Sequence, residues 1–535
     1  MTYLPTVLQH ASNPEELELS YQQAVKAGAE ADFAAAIESG YAQAGDNLLL
    51  AAWHYRLAHA AAKVKGRVIA WGWALPLGLL NGLLLWLLSD DQRFNIKAEN
   101  PLTGQMYTVI PLAALLAAPI SAMLITLFLT AAGEKRWPRA LAVVLGLGAS
   151  AAYVLLLFPS LWPRVFQEQY LGLMVLHLGL LAWAGVGIVA LARRADAPNR
   201  FAFLAKSLEA FVVAGLLAIA GGIFTAITFG LFNALGIQPP DWAVRLFIAG
   251  GGGLIVLVAV ALVYDPKSEP AQQPFDEGLS KLVALLMRLL LPLTVAVLLV
   301  YLAFIPFNWR EPFENREVLV VFNAMLFAVL ALLMGATPVQ GGDLSERGQS
   351  WLRRGVIALA ALALLVSLYA LAAILYRTSI DRLTPNRLAF IGWNVVNITI
   401  LALILIQQAR AGRARWLEGV HRAYSIGVVL YIAWALIGLL ALPWLFRGDP
   451  AQVAGLPLHI QELAYERAEP VLLKCSSSPH IYLLEKGQKR WIRDIATFEA
   501  QGYRWNDVQY VGCSDLRAVP DGETIPPGAG PPPRP

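Results

Sequence analysis

Charge and sulfur are both scarce in this chain. Only 15% of its 535 residues are Asp, Glu, Lys or Arg, where a soluble domain carries about a quarter. The net charge of +4 is spread over many short loops, so no nucleic-acid partner is expected. There are only two cysteines, Cys475 and Cys513, and they bracket one soluble-looking stretch near the end. The sequence also lacks Cys-x-x-Cys, His-Glu-x-x-His, a Walker loop and a nucleophile elbow. Its seven histidines are scattered, with His54 and His59 at a spacing that does not share a helix face. No metal or other cofactor is expected, and no catalytic residue stands out. The first 66 residues show no basic start followed by an apolar run and cleavage site, so no signal peptide is expected there.

What the chain has is apolar length. Hydrophobic residues make up 57% of it, and runs of eighteen or more recur. Each reads as a membrane-spanning helix, because the hydrocarbon core takes about 20 helical residues to cross. Eleven spans are expected, near 68–89, 107–131, 139–158, 169–192, 207–235, 242–264, 282–305, 317–336, 355–376, 388–407 and 423–446. Pro76, Pro111, Pro119 and Pro292 fall inside them, where neighbouring helices can satisfy the freed carbonyls. Gly221, Gly222, Gly230 and Gly236 are expected to bend or tilt the long fifth span. The fold class is therefore an all-α polytopic membrane protein of about 11 helices with a small C-terminal α+β module outside the cell. Its parts are a cytoplasmic helical segment (1–66), the bundle (67–446), the module (447–526) and a Pro/Gly-rich disordered tail (527–535).

Basic residues orient the spans. With the N-terminus inside, the cytoplasmic loops hold sixteen Lys and Arg, among them Lys135, Arg136, Arg139, Arg193, Arg194 and Arg200. The outward loops hold nine, and Lys63, Lys65 and Arg67 crowd the first span from inside. An odd span count then exports the C-terminal region. Both cysteines lie in that region, where an oxidising compartment lets thiols pair, so a disulfide is expected. In the first 66 residues, Asn13 with Pro14 reads as a helix start, and Gly28, Gly40 and Gly45 as breaks.

The exported stretch reads as strands "IYLLEKG" and "KRWIRD" joined through Glu485–Gln488. A short helix capped by Asp494 and ended by Gly502 follows, then a third strand in "RWNDVQYV". The pieces "YLLEKGQKRWI", "FEAQGYRWNDV" and "VPDGETI" resemble a module repeated in exported bacterial surface proteins. That resemblance implies display or adhesion, with envelope glycan or protein as partner. Trp491 and Trp505 are expected in its core rather than on a glycan. A second stretch, "YRTSIDRLTPNRLAFIGWNVVN", is similar to the Arg-x-x-x-Tyr-Gly-Leu-Thr-x-x-Arg signature of a bacterial membrane family, domain-of-unknown-function family 4153. Arg377, Leu383, Thr384 and Arg387 match it, while Asp381 and Arg382 stand where Tyr-Gly is commoner. The resemblance implies a bacterial plasma-membrane protein and brings no reaction with it.

Two polar groups are the candidate sites. Arg377, Asp381, Arg382, Thr384 and Arg387 would lie at the outer interface, where they could pair, bind lipid phosphate or serve only as a capped helix start. His177, Arg288, Asn394 and Asn397 fall within spans, where ionisable residues often mark function; Asn81, Asn323, Asn394 and Asn397 also read as interhelical glue. Glu209 sits at the start of span five, and no carboxylate falls near the middle of any span, which argues against proton- or sodium-coupled transport. "AGGGG" at 249–253 reads as close helix packing. The echo of "PNRFAFL" (198–204) in "PNRLAFI" (385–391) would suit an inverted repeat. The leading expectation is a non-enzymatic envelope scaffold or sensor. The alternatives are a transporter or lipid-handling permease, and a membrane-embedded transferase. Membrane lipids are the expected partners.

Overall fold

The computed structural model describes residues 3–64, 69–134, 137–275, 277–314, 316–340, 344–380, 383–448, 453–467, 471–501 and 503–535. Lys65, Arg67, Lys135, Arg136, Asp381, Arg382 and Gly502, which enter the readings above, lie outside the described residues. The chain divides into two compact units, 1–69 and 70–535.

The first unit holds α1 (Leu4–Gln9), α2 (Pro14–Lys26), α3 (Glu30–Gln43) and α4 (Leu48–Val64). Asn13 starts α2 as expected, its side chain accepting from the backbone N–H groups of Glu15 and Glu16. Gly28, at φ +68°, ends that helix region. Gly40 does not break a helix. It lies inside α3, where a Cβ would press to 3.2 Å from Val7 of α1. Phe33, Ile37, Leu17, Leu50 and Trp53 form the small core.

The second unit begins with α5 (Trp71–Leu88), then a hairpin of β1 (Asn95–Glu99) and β2 (Met106–Pro111). Long helices follow: α6 (Leu112–Ala132), α7 (Trp137–Leu157), α8 (Arg164–Ala190) and α9 (Ala197–Ala234). Next, α10 (Asp241–Arg245) runs through a wide turn into α11 (Gly251–Val263), and α12 (Gly278–Phe304) and α13 (Glu311–Glu314) come after. The last of the bundle are α14 (Arg316–Ala336), α15 (Glu346–Ile380), α16 (Pro385–Ala411) and α17 (Trp416–Leu445). Among the described residues, ten helices are long and apolar enough to cross a membrane. The span expected at 317–336 is α14, whose apolar stretch Val321–Ala336 is shorter than those ten.

The hairpin displaces the expected start of the second span at 107. Residues 106–111 pair back on β1, and Pro111 stands at the N-cap of α6 instead of inside it. Pro76, Pro119 and Pro292 do lie within helices. α9 runs unbroken past Gly221, Gly222 and Gly230 and stops only before Gly236, at φ +72°. The glycine run at 250–253 is where α11 crosses α5. A Cβ on Gly253 would come 2.9 Å from Gly82, and Asn81 donates to the Gly253 carbonyl at 2.8 Å. A large apolar core gathers α9, α12, α14, α15, α16 and α17 around residues such as Leu326, Val356, Leu401 and Val420.

After α17 come α18 (Leu458–Glu466), β3 (Val471–Lys474), β4 (Ile481–Glu485), β5 (Gln488–Ile492), α19 (Ile495–Ala500), β6 (Val508–Tyr510) and α20 (Cys513–Ala518). Sheet order is β5-β4-β3-β6, with β3 and β6 parallel. Lys486 and Gly487, both at positive φ, make the two-residue turn between β4 and β5. β3 was not expected, because "VLLK" is too short to show a period. Residues 527–535 cross the module's surface, with Tyr482 donating to the Pro533 carbonyl at 2.7 Å.

Candidate functional site

Contacts across the second unit sort the loops onto two ends of the bundle. At one end the Tyr107 hydroxyl of β2 donates to Gln167 at 2.5 Å and meets the Tyr465 hydroxyl of α18 at 3.0 Å. Gln167 in turn donates to the Leu161 carbonyl at 3.0 Å. Trp162 packs its ring 4.6 Å from Tyr465 and joins the module's core. Leu161 bridges to Arg447. The hairpin, the 158–163 turn and the module therefore share one end. Burial pushes the hydroxyls of Tyr107 and Tyr465 above the usual phenol range; for Tyr107 the neighbouring Tyr465 adds to the rise.

Shared placement fixes the parity of the chain. Between the hairpin and the module the helices must traverse the bundle an even number of times. The ten traverses α6, α7, α8, α9, α10–α11, α12, α14, α15, α16 and α17 satisfy this only with α14 included. With α5 that makes eleven: the ten helices that, among the described residues, are long and apolar enough to cross a membrane, and α14, whose apolar stretch is shorter.

Cys475 and Cys513 form a disulfide with Cα atoms 5.1 Å apart. It ties the end of β3 to the start of α20, beside the parallel β3–β6 pair. Cys475 is fully buried with Tyr482, Val511 and Leu516. Trp491 packs against the same core, whereas Trp505 is 53% exposed, leaning on Phe498 at 4.8 Å between ring centroids. Asp494 caps α19 as expected. Hydrogen bonds from the Thr497 side chain and backbone, with Arg493 beside it, pull its carboxyl down to about 2.

Of the expected outer polar group, Thr384 caps α16, accepting from the Arg387 backbone at 3.3 Å with Pro385 at the first helical position. Arg377 lies in the last turn of α15. Asp381 and Arg382 lie outside the described residues. The local geometry there is that of a capped helix start.

The intramembrane group is split. His177 is fully buried, holds the Leu173 carbonyl through Nδ1 at 2.8 Å, and stacks on Trp393 at 5.2 Å. A carbonyl only accepts, so the ring proton is on Nδ1, and Nε2 faces the bare Cα of Gly438. Asn394 donates to Asn323 at 2.7 Å, and Tyr431 donates to Asn397. These contacts join α8, α14, α16 and α17. Arg288 stands apart, donating to the Ala336 carbonyl at 3.1 Å.

A buried ion pair was half visible. Lys206 and Glu209, both almost wholly buried, pair at 2.8 Å. Lys206 also donates to the Pro274 carbonyl at 2.7 Å and Ser280 at 2.9 Å, tying the 264–277 loop to α9 and α12. Glu209 stood out in the sequence by its place in a span. The i,i+3 spacing of Lys206 was the signal for its partner.

A groove of about 720 Å³ lies among α5, α6, α8, α9 and α11. Alanine and glycine form nearly half its wall, including Ala118, Ala182, Gly179 and Gly252, and its polar groups are few: Ser121, Ser207, Lys206 and Tyr264. None of His177, Asn394 and Asn397 lines it. Among the described residues no three His, Cys, Asp or Glu side chains gather as a metal centre would need. No family model, curated protein or solved structure matches the chain.

Proposed function

We propose that this is a multi-pass protein of the bacterial plasma membrane that holds a disulfide-closed module against the extracytoplasmic end of its bundle, as an envelope scaffold or sensor and not as an enzyme. The observation that carries this reading is the clamp of Tyr465 and Trp162 onto Tyr107 and Gln167, which makes the module part of the bundle's end instead of a tethered appendage. Orientation is supported by the opposite end, where Arg193, Arg194, Arg413 and Arg415 lie in short loops and Arg139 in the first turn of α7. The disulfide supports it independently, since such bonds persist outside the cytoplasm. The resemblance of residues 480–526 to exported surface modules points the same way. Labelling of intact cells with a membrane-impermeant maleimide tests it. Cys475 and Cys513 should label only after reduction; labelling that requires permeabilisation would place the module inside and end the proposal.

A second reading, lipid handling, is favoured by the Ala/Gly-walled groove. Its dimensions fall within the range of about 300–1,000 Å³ typical of ligand sites, and its walls offer an apolar ligand little to hydrogen-bond. Photo-crosslinkable fatty acid incorporated into the membrane should mark α6 and α11 peptides. Crosslinking spread evenly over all lipid-facing helices would remove this reading.

A further inference from the structure

A second groove, about 450 Å³, opens between α7, α8, α9 and α17 at the end of the bundle away from the module. Its walls are apolar: Ile188, Phe203, Val428, Val429 and Ile432 line it. Three arginines, Arg139, Arg193 and Arg200, line it as well. They come from the first turn of α7, the α8–α9 loop and the first turn of α9, so tertiary folding and not local sequence brings them together.

Among the described residues none of the three is ion-paired with a carboxylate, and nearby Asp196 is committed to Arg194 and to the cap of α9. Each guanidinium carries five N–H donors. Arg139 donates to the Ala192 carbonyl, Arg193 to the Lys267 carbonyl at 3.1 Å and Arg200 to Ser425 at 3.2 Å. Those bonds aim the side chains without neutralising them. Arg139 and Arg193 are exposed, Arg200 half-buried.

Clustered guanidinium groups suit a phosphate, whose oxygens match the planar fork. Apolar walls beneath them suit hydrocarbon. Basic grooves between helices on the cytoplasmic side of a membrane bind anionic headgroups in this way. We infer that this groove binds an anionic phospholipid, its phosphodiester held by Arg139, Arg193 and Arg200 and one acyl chain lying along Val429 and Ile432. Inorganic phosphate would leave those walls unused, which is why a lipid is the ligand. The inference rests on the chain spanning a membrane and is independent of where the module is displayed.

Native mass spectrometry of the full chain in mild detergent, titrated with phosphatidylglycerol or phosphatidylcholine, tests it. Phosphatidylglycerol should bind about tenfold or more tightly, given a favourable contribution from each basic residue. The triple variant R139Q/R193Q/R200Q should lose that preference. The triple variant R410Q/R413Q/R415Q removes the same charge near the same end and should keep it. If R200Q prevents folding, the exposed pair R139Q/R193Q should still reduce the preference. Equal binding of the two lipids, equal loss in both triple variants, or displacement of the lipid by millimolar inorganic phosphate would each overturn the assignment, the last by marking a free-anion site. The maleimide experiment reads the module's side separately, so failure of either proposal is distinguishable from failure of the other.

Discussion

A Cβ added at Gly392 would fall inside the ring of Trp434, and one at Gly438 would stand 2.6 Å from Nε2 of His177. Both glycines let bulky side chains of a neighbouring helix reach the backbone. Gly392→Ala is therefore expected to cost about 1–3 kcal/mol or more, as overpacked cores do. Gly146→Ala, where a Cβ meets nothing within 4 Å, should be neutral or slightly stabilising. Thermal denaturation of the two variants in detergent checks the contrast. In the module, the low pKa of Asp494 makes a pH prediction. Its stabilising contribution is complete above the ordinary carboxyl value of 3.8 and is lost as pH falls through about 2. Amide exchange in α19 should accelerate across that window, and Asp494→Ala should abolish the dependence. Sequence pattern identified this cap, because Asp at an N-cap is a local signal. It did not identify Gly392, whose role exists only when α17 lies against α16.

Whole elements were legible in proportion to how much of their cause is local. The ten long helices follow from apolar runs alone, and the β4–β5 hairpin follows from its two-residue turn. The β1–β2 hairpin was hidden because "MYTVI" merges with the apolar run of α6, while "NIKAE" looks like a polar loop. Its hold on the module depends on Tyr107 staying protonated. Both phenols titrate above 10 in the fold, so the docked state binds more protons than the undocked one in strong base. Its stability is intact below pH 10 and declines as pH rises beyond it. Hydrogen exchange at β1, β2 and α18 should quicken together above pH 10, and Tyr107→Phe should produce a smaller version of the same change at neutral pH. That substitution removes hydrogen bonds contributing about 0.5–1.5 kcal/mol each. Exchange confined to the hairpin alone would show that it and α18 do not form one unit.

At the scale of the whole molecule, the number of traverses decides everything outside the bilayer. Among the described residues ten of the eleven expected spans are long apolar helices, while α14 has the shorter apolar stretch Val321–Ala336; the contacts at Tyr107 and Trp162 fit an even number of traverses only when α14 is counted. A disulfide spanning 38 residues stabilises by about 4 kcal/mol on the chain-entropy model. Cys475→Ser should lower the unfolding temperature of the module and leave the bundle's helical content unchanged, measured by circular dichroism during a thermal ramp. Meanwhile α9, at 38 residues, is roughly 57 Å long at 1.5 Å per residue, well beyond the hydrocarbon thickness of about 30 Å. Most side chains beyond Val213 are exposed, so this helix projects past the others or tilts strongly. The clamp also orders the protein's synthesis in time. Tyr107 and Tyr465 are 358 residues apart, which at about 5–20 residues per second separates their emergence by roughly 20 to 70 s. Through that interval the hairpin waits with its closing partner unmade, and only when the last helix of the bundle is complete does the C-terminal module arrive to seal the loop that follows the first one.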